Sequence, residues 1–197
     1  MGTKNLNSAT NLITFTRASG GTALRKISYG SELITNGTFD TDISGWNNDG
    51  TTSAIVGNQI EVTSVSGVSG SGVNQTITTV AGKRYKFSSD HAPQTGRARI
   101  EVKDNNNFGS GLETLSQTSA TGTYEFVFVA LSNSTYIRLE AFDTSSVVLF
   151  DNISVKEVLY DQPDGTLQLW NHGNNEPRIE YDATGAVKGL LIEEART

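Results

Sequence analysis

Cysteine is absent from the 197 residues, and proline and methionine are scarce, at three residues and one residue. Without cysteine the chain has no disulfides, no thiolate metal ligands and no thiol nucleophile. His91 and His172 are the only histidines, which argues against a metal site made of histidine alone. Any chemistry of this chain therefore depends on carboxylates, hydroxyls, amides, basic groups and aromatic rings.

Clustered positive charge and long apolar runs are missing as well. The chain has 15 basic and 21 acidic residues, a net charge of −6, and no run of Lys and Arg. A nucleic-acid groove needs clustered positive charge to hold phosphates, so we expect no nucleic-acid partner. No apolar segment has the length of a membrane span or of a secretory signal, so we expect neither.

The residues that are abundant favour strands and turns. Ser, Thr and Asn make up 60 of the 197 residues, and apolar and polar residues alternate in short runs, as in half-buried strands. Gly57-Asn58 separates two such runs and predicts a hairpin turn. Residues 124–129 are nearly continuously apolar, which predicts a strand buried on both faces or central in its sheet. Regular strands without intervening helices predict an all-β sandwich or barrel.

Two motifs frame the central part of the chain. Leu-Ile-Thr-Asn-Gly-Thr-Phe-Asp at 33–40 is followed by Gly45-Trp46, and Phe-Asp-Asn-Ile-Ser-Val lies at 150–155. Together they resemble the opening and closing motifs of family 4/9 carbohydrate-binding modules. The resemblance implies a jelly-roll β-sandwich over 32–158, with an N-terminal flank at 1–31 and a hairpin-containing flank at 159–197.

The same resemblance implies two kinds of site. Asp40 and Asp151, with carbonyls of 36–38, are candidate ligands of a structural Ca²⁺, which prefers oxygen; alternatively, Asp40 caps a turn and Asp151 accepts bonds from backbone amides. Trp46 is expected in the core rather than in a sugar-binding site. Apart from Ca²⁺, no cofactor is expected. The candidate sugar-binding residues are Tyr85, Phe108, Tyr124, Tyr136, Arg99 and Arg138.

The flanks resemble virion proteins of tailed bacteriophages and prophages. The matching strings are Phe-Thr-Arg-Ala-Ser at 15–19, Asn-Glu-Pro-Arg-Ile-Glu-Tyr-Asp at 175–182 and Gly-Leu-Leu-Ile-Glu-Glu-Ala-Arg-Thr at 189–197. The resemblance implies a structural protein at the phage particle surface, either a tail fibre or a capsid decoration. Its implied partners are other virion proteins and further copies of itself, as trimers or pentamers.

Two functions remain open at this point. The first is a virion protein that displays the jelly roll, and the jelly roll would adsorb weakly to host surface polysaccharide. The second is a free-standing carbohydrate-binding module. A glycosidase would need two carboxylates that face each other across a cleft, whereas Glu180 and Asp182 share one strand face. We therefore assign no catalytic residue and expect no enzymatic activity.

Overall fold

The computed structural model describes residues 21–65, 71–104, 111–172, 178–182 and 184–191. Within these ranges the chain forms strands joined by turns, and no described residue is helical. The strands are β1 (Gly21–Glu32), β2 (Asn47–Asp49), β3 (Thr51–Val56), β4 (Gln59–Ser64), β5 (Ser71–Thr78), β6 (Arg84–Thr95), β7 (Ala98–Asp104), β8 (Gly111–Thr118), β9 (Gly122–Val129), β10 (Ser134–Ala141), β11 (Val147–Tyr160), β12 (Thr166–His172), β13 (Arg178–Tyr181) and β14 (Val187–Leu191).

The chain divides into two compact units. One is Tyr29–Val158, here called the sandwich unit, and the other is formed by residues on either side of it in the sequence. In the part of the chain that the structure describes, no helix is long and apolar enough to cross a membrane.

The sandwich unit consists of two antiparallel sheets. Sheet B has the order β2-β5-β10-β7-β8. In sheet A, β11 pairs with β4 through Val147–Phe150 and with β6 along its other edge, while β3 follows β4 and β9 follows β6. The fold is therefore the jelly-roll β-sandwich that the sequence predicts.

Alternation along the strands fills the space between the two sheets. In β10, Ile137 and Leu139 are fully buried in the core, while residues of the opposite parity point away from it. Phe39, Phe87 and Phe150 are also fully buried. Burying one such side chain contributes about 1.5–3 kcal/mol to folding, so this interior is the main source of stability of the unit.

Strand β9 departs from the sequence-based prediction. Tyr124, Phe126 and Phe128 point inwards, but Val127 and Val129 are each 38% exposed. Among the described strands, β9 pairs with β6 alone. The prediction that 124–129 is buried on both faces or central in its sheet is therefore wrong. β-Branched residues on the solvent face of an edge strand produce the same apolar pattern.

The second unit contains a pairing and a hairpin. Gly21–Ile27 of β1 pairs with β12, and β13 pairs with β14 through a turn that Asp182 stabilises by accepting bonds from Thr184 N and Ala186 N. The pairing of β13 with β14 confirms the hairpin that the sequence predicts in the C-terminal flank. Asp161 accepts two bonds from the Arg25 guanidinium and one from the Tyr181 hydroxyl. Burial raises the pKa of Tyr181, the bond to Asp161 raises it further, and the charge of Arg25 opposes both.

Burial also determines the protonation state of His91, whose side chain points from β6 into the space between the two sheets. Its side chain is 6% exposed, and its Nδ1 has no hydrogen-bond partner among the described residues. Burial lowers the pKa of His91, against the opposing charge of Asp90. The folded state therefore holds the neutral imidazole.

We predict that His91 makes the protein less stable in acid. Because its pKa is lower in the folded chain than the value of about 6.5 in the unfolded chain, stability is full above that value and declines as the pH falls below it. Replacing His91 by leucine should flatten the dependence of the unfolding midpoint on pH between roughly pH 7 and pH 5. Urea denaturation of both proteins across that range measures the effect. An equal decline in the variant would show that other groups cause it.

Candidate functional site

The outer face of sheet B carries charged and polar residues, whereas the residues of its inner face pack in the core. Three residues of β10, Tyr136, Arg138 and Glu140, lie on this face, opposite in parity to Ile137 and Leu139. They are nevertheless buried, with exposed fractions of 6%, 9% and 0%. We call the surface formed by the outward residues of β2, β5, β7 and β10 the outer face of sheet B.

Glu140 holds two arginines on this face. Its carboxylate accepts hydrogen bonds from Arg99 Nε and from Arg99 Nη2, the latter at 2.9 Å, and Arg138 Nε lies 3.0 Å from Glu140 Oε1. Arg138 Nη2 is also 3.0 Å from Asp49 Oδ2 on β2. The hydrogen-bonded Glu140 carboxylate raises the pKa of Arg99, against the effect of burial. Both guanidinium groups are thus fixed in position and fully charged.

The ion pairs continue along β7. Lys103 Nζ lies 3.0 Å from Glu101 Oε2, and Arg99 Nη2 lies 3.7 Å from Glu101 Oε1. Tyr136 lies beside these charges, because its Cα neighbours are Lys103 on β7 and Thr76 on β5. Burial raises the pKa of Tyr136, so its hydroxyl keeps its proton. The face therefore offers donors and acceptors of both signs, held by mutual contacts.

The structure brings together three of the six predicted sugar-binding residues, namely Tyr136, Arg99 and Arg138. The others lie elsewhere. Tyr85 is 2% exposed, stacks on Phe128 and accepts a hydrogen bond from Val80 N. Tyr124 packs against the core beside Phe126. Neither ring is on the outer face of sheet B. Phe108 lies outside the described residues.

Trp46 lies in the core, as predicted. It is 7% exposed and packs on Phe39 with ring centroids 5.6 Å apart. Its Nε1 donates to the carbonyls of Thr35 and Asn36 at 3.1 and 3.2 Å. A buried Trp usually satisfies its N–H in this way, so this ring serves packing rather than ligand contact.

The two predicted calcium ligands have protein partners. Asp40 accepts a bond from the Thr38 hydroxyl, and Asp151 accepts one from Asn152 N at 2.7 Å. Burial raises the pKa of Asp151, opposed by that amide and reinforced by Asp90 and Asp40. Over the described ranges, no group of three or more His, Asp or Glu side chains is arranged to hold a metal ion. Backbone carbonyls also bind Ca²⁺, so calcium at Asp40 and Asp151 remains a prediction from the resemblance.

The sequence signal for the charged face is a period-two pattern of opposite charges. Arg99, Glu101 and Lys103 alternate along β7, and Arg138 and Glu140 along β10. Such residues lie on one strand face, but only the pairing of β7 with β10 shows that the two sets meet. Glu140, Glu101, Lys103 and Asp49 were therefore missed as site residues.

Comparison with known proteins agrees with this architecture. No family model and no curated protein matches the sequence. Among solved structures, a family 4 carbohydrate-binding module is similar over 63% of this chain and 99% of its own, with 19% identity and a TM-score of 0.53. The N-terminal cellulose-binding domain of β-1,4-glucanase C from Cellulomonas fimi is similar over 64% and 97%, with 18% identity and a TM-score of 0.52.

A third similarity comes from a larger protein. The enzymatically active domain of tailspike protein 4 from bacteriophage CBA120 is similar over 64% of this chain but only 21% of its own, with 13% identity and a TM-score of 0.50. At these identities the similarities show the fold alone. In fold, the chain contains a jelly-roll sandwich of the kind found in carbohydrate-binding modules.

Proposed function

We propose that the chain is a non-catalytic glycan-binding protein whose ligand lies across the outer face of sheet B. The observation that carries the proposal is the arrangement of Arg99, Arg138 and Tyr136 around the fully buried carboxylate of Glu140. The fold is shared with carbohydrate-binding modules, one of them a cellulose-binding domain. That similarity supports the choice of ligand class.

The chemistry of the face suits sugar hydroxyls. A hydroxyl both donates and accepts, so a face with guanidinium donors and the 46% exposed Asp49 carboxylate as an acceptor can bind several hydroxyls of one chain. Because Glu140 already fixes both arginines, little side-chain entropy is lost when a ligand binds. Asn74 and Thr76, on the neighbouring strand β5, extend the polar surface towards solvent.

Binding of neutral polysaccharides tests the proposal directly. We expect the full chain to be retarded in native gels that contain hydroxyethylcellulose, xylan or laminarin. Replacing Arg138 by lysine keeps the charge but removes the planar fork of donors, and should weaken binding about tenfold, which corresponds to about 1.4 kcal/mol. Arg25→Lys, at an ion pair with Asp161 in the other unit, is the matched control and should bind as the parent does.

A second pair of variants separates binding from folding. Asn74→Ala and Thr76→Val change polar groups of the face that take no part in the ion pairs around Glu140. We expect both proteins to unfold as the parent does and to bind polysaccharide more weakly. Full retardation of Arg138→Lys and of these two variants would contradict the proposed face, and no retardation of the parent by any of the three polysaccharides would contradict glycan binding.

The role in a phage particle remains a prediction from the flanking strings. Residues 15–19 and most of the string at 189–197 lie outside the described residues. The structural similarities concern the jelly roll and support glycan binding rather than assembly into a virion. The implied particle location, virion partners and trimeric or pentameric state are therefore proposals that depend on the resemblance alone.

A further inference from the structure

Sheet A carries a pocket on its own outer face, within the sandwich unit. The pocket has a volume of about 180 Å³ and is lined by Tyr29, Lys86, Ser88, Ser154 and Lys156. Pairing of β11 with β6 places Lys156 opposite Lys86 and Ser154 opposite Ser88. Tyr29 of β1 is 38% exposed. An aromatic ring, two ammonium groups and two hydroxyls therefore surround one small space.

The pairing of the two lysines is unfavourable by itself. Like charges directly opposite each other on neighbouring strands destabilise a sheet. Lys86 and Lys156 are Cα partners and line the same pocket. A negative group between them would reduce this repulsion.

The carboxylates nearby neutralise the lysines only in part. Glu32 Oε1 accepts hydrogen bonds from the backbone N–H groups of Leu33, Ile34 and Val155, and its Oε2 accepts one from Ser154 Oγ. This carboxylate is thus committed to the chain, and Lys156 Nζ lies 3.7 Å from it, beyond the usual hydrogen-bond distance.

Lys86 has a partner of a different kind. Its Nζ lies 3.1 Å from Glu125 Oε1, but the Glu125 side chain is 52% exposed. Exposed pairs of this kind are weak and are screened by water. An ammonium group has three donors, so this contact leaves Lys86 able to bind a second acceptor. The charged residues that line the pocket itself are both lysines.

Tyr29 adds a surface for a ring. Lys86 Nζ lies over the Tyr29 ring, 5.8 Å from its centroid, so the ring and the charge border the same space. Pockets for drug-sized ligands measure roughly 300–1,000 Å³, and this one is smaller. It has room for a single small ring and its charged substituent.

We propose that this pocket binds one carboxylate-bearing residue of an acidic polysaccharide. The sugar ring packs on Tyr29, its carboxylate lies between Lys86 and Lys156, and the Ser88 and Ser154 hydroxyls contact its remaining oxygens. The inference goes beyond the proposed function, because this pocket lies on the opposite sheet and selects for negative charge. It would allow one chain to contact a glycan through both faces of the sandwich.

Titration calorimetry of the full chain with trigalacturonic acid and with its methyl ester tests the proposal. We expect the acid to bind at least about tenfold more tightly than the ester, and its affinity to fall as sodium chloride is raised. Lys86→Gln, Lys156→Gln and Tyr29→Ala should each weaken binding of the acid about tenfold. Lys83→Gln, which removes an ion pair with Glu157 outside the pocket, is the matched control and should bind normally.

Five results would overturn the pocket, and the first four are measured on the pocket itself. These four are no binding of trigalacturonic acid, equal binding of acid and ester, full binding by the Lys86→Gln/Lys156→Gln protein, and displacement of the acid by sulfate at equal concentration, which would indicate a site for any anion. The proposed function fails separately, through neutral polysaccharides and Arg138→Lys. Weaker binding of trigalacturonic acid to Arg138→Lys but not to Lys86→Gln would place the acidic sugar on sheet B and also overturn the pocket.

Discussion

Replacing Glu140 by glutamine is expected to lower the free energy of unfolding by about 3 kcal/mol. The Glu140 side chain is completely buried, and it is the shared partner of Arg99 and Arg138. The amide of glutamine has the same shape but no charge, so the two guanidinium groups would lose the buried counter-ion that they share and keep their second partners, Asp49 and Glu101. Removing one partner of a buried ion pair costs more free energy of folding than the intact pair contributes. Urea denaturation of the variant and the parent measures the difference.

An exposed pair with similar geometry provides the control. Asp143 accepts three bonds from Arg97, and the hydrogen-bonded guanidinium lowers the pKa of Asp143. The Arg97 side chain is 44% exposed and that of Asp143 is 31% exposed, so water screens the interaction. Asp143→Asn should therefore lose much less stability than Glu140→Gln. Equal losses would show that hydrogen-bond geometry, rather than burial, determines the cost.

The same variant links stability to binding. If Glu140 fixes Arg99 and Arg138 for a ligand, the folded fraction of Glu140→Gln should bind hydroxyethylcellulose more weakly than the parent, although Glu140 is itself fully buried. A carboxylate that served stability alone would leave the affinity of folded molecules unchanged. The combined measurement thus tests whether this buried charge is kept for positioning.

Local sequence patterns predict most of the sandwich because they report periodicity. The hairpin at Gly57-Asn58 is an example, since both residues have positive φ, 59° and 61°, and the flanking strands pair through Val56 and Gln59. Strand β8 is different. Its pairing with β7 is interrupted by two register shifts, so its apolar residues, Leu112 and Leu115, do not alternate, and the period-two pattern fails to predict it.

Contacts between distant segments were beyond sequence reasoning. Arg138 meets Asp49 across 89 positions of the chain, and no local pattern indicates which strands become neighbours. The position of β9 at the edge of its sheet is another case, because the apolar residues of 122–129 are compatible with an edge or a centre. Strand order is set by the packing of the whole chain rather than by any one segment.

The closing motif shows how a local irregularity encodes a long-range fit. In Phe150-Asp151-Asn152-Ile153, the spacing of three between Phe150 and Ile153 breaks the period of two, and the structure has a register shift there. Asn152 takes a positive φ of 52°, which asparagine tolerates better than most residues. The shift returns Ile153 and Val155 to the core after Phe150. The three-residue spacing was therefore a readable signal for a β-bulge.

The opening motif fits directly against this bulge. The carbonyl of Gly37 accepts a hydrogen bond from Ile153 N at 2.9 Å. A Cβ placed on Gly37 would lie 2.1 Å from the carbonyl oxygen of Ile153. Since that oxygen belongs to the backbone of a core strand, it cannot move aside as a flexible side chain would. The two motifs of the sequence are thus the two sides of one close backbone contact.

Replacing Gly37 by alanine should therefore destabilise the protein by about 3 kcal/mol, at the upper end of the cost of overpacking. The added methyl group forces the 33–40 segment away from β11 and weakens the packing of Phe39 and Ile153, both in the core. Gly111→Ala is the control, because a Cβ there meets no atom of the described residues within 4 Å, and its stability should be unchanged or slightly higher. Urea denaturation measures both proteins. Comparable stability of the two variants would mean that the 33–40 segment moves to accommodate the methyl group. The contact between the two motifs would then not be what holds the first and last segments of the sandwich together.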